Sequence, residues 1–266
     1  MLGVTEMSYF PIHYQLISTL VERWRPEIHT FHMTFRECTI ILKDVSVLLS
    51  LKVHGDPITG CSTYRWVSLV EYLFGITPPP TTIKGGRLKM SWVDQYFFDV
   101  SMHVHSVQQM ERYYLVMLTD LDQCGQLSWG SALLAHLYRE LCLATNYDNK
   151  EISGHVFYCF VWQLYLQYFY SLPPYCVENT NIWRVVVPLI DFHIIEYHHV
   201  DRVMRQFGMV QHIPCPPRQL DNLHDLTLCE KDDIDWRVQH AVFVHKWERK
   251  LDHILDTKSL YYYTFK

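Results

Sequence analysis

The spacing of apolar positions changes several times along the chain, and each change marks an element. Ile12, Leu16, Leu20 and Trp24 recur at every fourth residue, which predicts one stripe of an amphipathic helix. Arg25-Pro26 should end it, because the residue before a proline disfavours helical dihedrals. The segments 30–35 and 38–42 are rich in Thr, Ile and Phe and flank Arg36-Glu37, which is the pattern of a β-hairpin. Asp44 then opens a short helix reaching Leu51, its carboxylate suited to a helix first turn. Gly55-Asp56-Pro57 breaks the chain. A helix is expected from Trp66 to Phe74, stopped by Gly75 and the run Pro78-Pro79-Pro80. Further helices are expected from Ser91 toward Phe98 and from Val107 to Leu118.

The second half is more apolar. Ser128 is positioned to cap a helix whose inner face is Gly130, Leu134, Leu137 and Leu141, with Arg139-Glu140 pointing away. The stretch 152–172 contains no Asp, Glu, Lys or Arg and is long enough to span a bilayer. Its His155, Gln163, Gln167 and tyrosines, and its lack of basic flanks, favour a buried core helix instead. The segment 185–197 is β-branched and aromatic with Pro188 inside it, so an edge or bent strand is expected. A helix over 199–207 should end at Gly208, and Asp232 or Asp233 should cap a last helix whose shared face is Trp236, His240, Phe243, Trp247 and Ile254. Helices outnumber strands. The expected fold class is mainly α with small β elements (α+β), a helix-rich domain with an N-terminal β-hairpin and a later edge strand. No linker or repeat divides residues 1–266, and any division into two lobes is expected near 146–152.

Composition narrows the classes. The 266 residues are 49% hydrophobic and 19% charged, enough to bury a core and too apolar for intrinsic disorder. A net charge of −5 means that any nucleic-acid contact must come from a local patch. The eight cysteines show no C-x-x-C pair, which fits reduced thiols rather than a zinc ribbon or redox motif. The N-terminus has no basic region ahead of an apolar core, so no secretory leader is expected.

Candidate chemistry is sparse. The densest histidine stretch, His193, Glu196, His198 and His199, lacks the i, i+4 convergence of a metal site, so a structural role is expected. Ser128-Trp129-Gly130-Ser131 reads as a helix start with a small residue for close packing, not as a serine nucleophile. No G-x-S-x-G, H-E-x-x-H or P-loop motif occurs. No catalytic, cofactor-binding or metal residue is therefore assigned. The one basic cluster is Lys84-Gly85-Gly86-Arg87-Leu88-Lys89, and Lys84, Arg87 and Lys89 are candidate nucleic-acid contacts through phosphate. Arg202, Arg205 and Arg218 form a second, looser set.

Several segments carry a resemblance. LVERWRPE from Leu20, TFHMTFRECTIILKDVSVLLSLKVHGDPI from Thr30, the Pro-rich turn leading to Lys84–Trp92, LSWGSALLAHLYRELCLAT from Leu127 and VVVPLIDFHIIEYHHVDRVMRQFGMVQHIP from Val185 occur in the order seen in plant mobile domains. The chain is similar to the maintenance-of-meristems-like members of that family over nearly its whole length. It departs from the pattern in a shortened stretch between Tyr113 and Leu121 and in the Tyr-rich character of 152–172. The resemblance implies a non-catalytic, nuclear protein-interaction module linked to meristem maintenance, genome stability and transposon silencing, with a phosphoprotein-phosphatase-like protein or chromatin as partner and no membrane. It also implies a transposon-derived origin, in which case the basic cluster would contact nucleic acid. The aminotransferase-like label given to such domains is not matched by a Schiff-base lysine or a phosphate cup. The phosphatase motifs GD-x-H-G, GD-x-x-DRG and GNHE are absent from the sequence.

Overall fold

The computed structural model describes residues 14–60, 66–84, 87–89, 91–92, 109–111, 119–146, 178–218 and 234–255, with isolated positions besides. They form two compact units, one built from Met1–Ile58, Ser128–Leu226 and Val242–Lys266, the other from Thr59–Leu127 and Thr227–Ala241. The aromatic stretch 152–172 and nearly all of 146–152 lie outside the described residues. Among those described, no helix is long and apolar enough to cross a membrane.

The larger unit begins with α1 (Tyr14–Arg23), which stops one residue before the end of the expected stripe. Trp24 leaves the helix because it pairs instead with Phe31, so Trp24–Arg25 becomes β1 against β2 (Thr30–His32). β3 (Glu37–Cys38) completes a three-stranded antiparallel sheet. The β2–β3 turn falls at Thr34-Phe35 rather than at Arg36-Glu37, closed by the Met33 N–H donating to the Arg36 carbonyl at 3.1 Å. α2 (Leu42–Leu49) starts as expected around Asp44, whose Oδ2 accepts from the Ile41 N–H at 2.9 Å. It ends on Ser50 in the left-handed region.

The centre of this unit is α5 (Trp129–Ala144) packed on a hairpin of β7 (Pro188–Asp191) and β8 (Ile194–Tyr197), whose eight residues are all buried. The single expected strand over 185–197 is thus two strands. Pro188 takes the first position, where its missing N–H breaks no ladder bond. Phe192 has φ 48°, as the first residue of a two-residue primed turn requires. Gly130 lets α5 approach its neighbour: an added Cβ would lie 2.7 Å from Val53 Cγ1 and 3.2 Å from the Lys52 carbonyl. The expected helix over 199–207 is two 3₁₀ turns, Val200–Arg202 and Met204–Phe207, ended by Gly208 at φ 69°. Late in the chain α7 (Ala241–Glu248) buries Val244 and Trp247, and the Trp247 indole N–H donates to the Gly55 carbonyl at 2.9 Å.

In the smaller unit, α3 (Trp66–Phe74) keeps its expected limits and ends at Gly75, φ 70°. It buries Val70 with Leu88 and Trp92. β4 (Ile83–Lys84), β5 (Arg87–Lys89) and β6 (Gln109–Glu111) form a second antiparallel sheet. The last of these overturns the expected helix over Val107–Leu118: Gln109–Glu111 is extended because it pairs with β5. α4 is a single turn, Leu121–Cys124. The Ser91 helix is seen only at Ser91-Trp92, its remainder lying mostly outside the described residues. The final α6 (Trp236–Gln239) is capped by Asp235, which accepts from the N–H groups of Arg237 at 2.9 Å and Val238 at 3.3 Å. Asp232 and Asp233 lie outside the described residues, and His240 separates α6 from α7 where one helix was expected.

Candidate functional site

The sequence points to His193, Glu196, His198 and His199 as the densest polar group, and the structure places Glu196, His198 and His199 in the core of the larger unit, with His193 half-buried in the turn between β7 and β8. β8 is covered on both faces, so Glu196 is fully buried. A carboxylate there is tolerable only if it is paired, and it is paired twice. Arg139 of α5 donates Nε to Glu196 Oε1 at 2.5 Å, and His29 Nε2 lies 3.0 Å from Oε2. Arg139 therefore does not point away with Glu140 as its helical position suggested. It is buried, and its other nitrogens reach the carbonyls of Leu223 at 3.0 Å and Leu226 at 3.5 Å. His29 sits at φ 50° in the turn between β1 and β2, a conformation that histidine tolerates better than bulkier residues. Its Nδ1 faces the Tyr197 carbonyl at 2.9 Å. Both ring nitrogens thus face oxygen atoms of β8.

Aromatic rings close the cluster. Tyr138 stacks on His29 at 4.9 Å and donates its hydroxyl to the Ile40 carbonyl at 2.6 Å. Trp24 packs on Tyr138 and donates its indole N–H to Cys142 Sγ at 3.2 Å. Burial pushes the Tyr138 hydroxyl and the Cys142 thiol well above their ordinary ranges, so both stay neutral. His198 donates from Nδ1 to the Val185 carbonyl at 3.0 Å, and burial lowers its pKa to about 4. His199 accepts the Arg218 N–H at 3.2 Å. Its pKa falls to about 3, through burial first and then unfavourable electrostatic interaction with His29, His198, Arg202 and Arg218. The cluster ties α5, β8 and the β1–β2 turn together. Glu196 is fully enclosed and Arg139 and His29 are nearly so.

The basic cluster lies on the hairpin of the smaller unit. Lys84 and Arg87 are directly opposed in register, and Lys89 follows two positions along β5. Strand alternation places positions 84, 87 and 89 on one face and Ile83 and Leu88 on the other, where Leu88 is fully buried. Lys89 is exposed. Glu111 on β6 stands opposite Arg87, an acidic neighbour that spacing along the chain could not reveal.

The second arginine set separates. Arg202 is committed to Glu37 in a two-pronged pair, Nε to Oε2 at 2.8 Å and Nη2 to Oε1 at 3.0 Å. Arg218 lies over the Tyr197 ring at 5.3 Å, and Arg205 is exposed.

One surface feature escaped the sequence reading. Phe35, at the β2–β3 turn, is 93% exposed. It borders a groove of about 390 Å³ lined by Met33, Phe35, Arg36, Cys38 and Gln206. The Gln206 side chain fixes one wall: its Oε1 accepts the Thr39 N–H and its Nε2 donates to the Thr39 carbonyl, both at 2.9 Å. Burial raises the Cys38 thiol, which therefore offers a neutral, apolar surface.

Comparison with known proteins places these features. A serine/threonine-protein phosphatase 7 long form homolog of Arabidopsis thaliana is 30% identical, with 96% of this chain and 26% of that protein covered. Protein MAIN-LIKE 1 from the same plant is 27% identical, with 91% of this chain and 62% of its own length covered. Protein MAINTENANCE OF MERISTEMS, also from Arabidopsis thaliana, is 25% identical over 81% of this chain and 62% of its own length. The chain thus spans between about a quarter and three fifths of these relatives. The alignment with the phosphatase 7 homolog runs over 346 positions against a chain of 266 residues, so that relative carries segments this chain lacks. No solved structure matches significantly. The plant mobile domain family model matches residues 1–162 and 155–262, nearly the full sequence, and the chain belongs to the plant mobile domain family.

Proposed function

We propose that the chain is a non-catalytic protein-interaction module acting in the nucleus, in meristem maintenance, genome stability and transposon silencing, with a phosphatase-like or chromatin protein as partner. One observation carries this reading. The densest polar group, Glu196 with Arg139 and His29, is used up by internal pairing, while a large aromatic stands exposed beside a largely apolar groove. Enzymes leave perturbed, partly accessible groups in a cleft; here the Glu196 cluster is inside the core. The names of the relatives support the biological setting: one is a phosphatase 7 long form homolog and another is named for the maintenance of meristems. The test is affinity purification of the intact chain from plant nuclei. Recovery of a phosphatase-like or chromatin protein is the expected result, and repeated recovery of neither overturns the proposal.

A second reading has its own observation, the shared register face of Lys84, Arg87 and Lys89. Three cations on one hairpin face suit phosphate contacts, whose affinity falls steeply with salt. A K84A/R87A/K89A variant that binds DNA as tightly as the parent removes this reading.

A further inference from the structure

We infer that the groove beside Phe35 is a docking site for an acidic protein segment that inserts one large apolar side chain. This rests on the interaction-module reading and names the surface and the chemistry of its partner.

The groove is preformed. The Gln206 amide holds both backbone polar groups of Thr39, and Arg202 grips Glu37 with two hydrogen bonds, so the strand under the groove is fixed at both of those residues. Preorganisation of this kind lowers the ordering cost of binding. Met33 and the neutral Cys38 thiol give the lining an apolar part. Its volume of about 390 Å³ falls within the range of roughly 300–1,000 Å³ typical of binding pockets. An apolar side chain can pack there against Met33, Phe35 and Cys38.

Charge selects the rest of the occupant. Arg36 lines the groove, is exposed, and has no carboxylate partner among the described residues. Arg205, next to the wall residue Gln206, is likewise exposed and unpaired among them. Glu37, next to Arg36 in the chain, is already paired with Arg202. Arg36 and Arg205 therefore make a local positive surface, which favours an acidic segment and disfavours symmetric pairing with the same surface of a second copy. Phe35 supplies the aromatic anchor that interface centres favour.

The experiment pans the full chain against a random peptide display library and measures the winners by fluorescence polarisation. The expected winners combine one Leu, Phe, Trp or Met with flanking Asp or Glu. Phe35→Ser and Arg36→Glu should each weaken them by roughly tenfold or more. Phe35 is almost fully exposed, so Phe35→Ser should unfold with the parent; a fall in its thermal midpoint would move the test to Arg36→Glu and Arg205→Glu. Basic winners, winners without a large apolar residue, or affinities unchanged in both variants overturn the inference. So does a single-stranded DNA 20-mer that outcompetes the peptides, or a shift from dimer to monomer on Phe35→Ser. Nuclear capture that survives Phe35→Ser and Arg36→Glu would sink this site while leaving the interaction module standing. Failure of capture with acidic-apolar peptides still bound would do the reverse.

Discussion

Replacing Glu196 with Gln changes one buried atom and removes one charge, so it isolates what the carboxylate contributes. In the parent, Glu196 neutralises Arg139 on one side and meets His29 on the other. Glutamine can keep part of this geometry. Its carbonyl oxygen can accept from Arg139 Nε, and its amide nitrogen can face His29 Nε2. The Arg139 guanidinium has no such remedy. It stays buried, and its other partners are the carbonyls of Leu223 and Leu226, which carry no countercharge.

Removing one partner of a buried ion pair costs about 3–5 kcal/mol, because the remaining charge is left in low dielectric. Domains of ordinary stability have about 5–15 kcal/mol in total. The expected result for Glu196→Gln is a urea-unfolding free energy lower by about 3–5 kcal/mol, with a thermal midpoint lower by roughly 6–20 °C at about 2–4 °C per kcal/mol. Joint replacement by Arg139→Met and Glu196→Leu removes both charges and should lose less than Glu196→Gln alone, showing as a favourable coupling energy. A Glu196→Gln loss below about 1 kcal/mol, the level of a solvent-exposed pair, would show that the carboxylate is not held as described.

Three further outcomes follow from the same core. Gly130→Ala would ordinarily stabilise a helix by close to 1 kcal/mol. Here the new methyl meets Val53 Cγ1 at 2.7 Å, so a net loss of roughly 1–3 kcal/mol is expected in chemical denaturation, and a gain would refute the close approach. Acid should destabilise the larger unit through His198 and His199, whose folded values of about 4 and about 3 lie below the ordinary 6.5. Groups kept neutral when folded bind protons on unfolding, so stability is complete above pH 6.5 and falls as pH drops from there toward 3. The total is on the order of a few kcal/mol, and pH-dependent unfolding that is flat across that window would count against it. Gln206→Leu strips both hydrogen bonds from Thr39 and should cost about 1–3 kcal/mol while accelerating amide exchange at residue 39.

Sequence pattern served best where an element is delimited by its own residues. Trp66–Phe74 was legible to the residue because Gly75 and three prolines close it, and Asp44 marked the start of α2 through its own capping carboxylate. The small residue at 130 was read as a close-packing position, and the Cβ clash bears that out. Reading failed where a partner far along the chain decides. Arg139 has the spacing of an outward helix position, but its partner is Glu196, 57 residues away on a strand. Gln109–Glu111 is extended only because β5 lies beside it, and Trp24 leaves α1 for Phe31. The basic hairpin was visible as composition, while the opposition of Lys84 and Arg87, and Glu111 across from Arg87, needed the register. Phe35 sat inside an expected strand, so its exposure at the turn could not be foreseen.

The described strands are short, two to four residues each. Such ladders supply few backbone hydrogen bonds, and a one-residue slip would turn every side chain to the other face. Something other than the ladder must hold the register. In the larger unit it is held by long polar side chains bonded to backbone. Gln206 clamps Thr39 beside β3, His29 and His198 grip the carbonyls of Tyr197 and Val185, and Gln211 ties Met204 to Asp201. Glu196 serves the same end from inside the sheet: a slipped β8 would present Ile195 or Tyr197 to Arg139 and leave the guanidinium unpaired. The buried charge therefore works less as a source of stability than as a penalty on every wrong register.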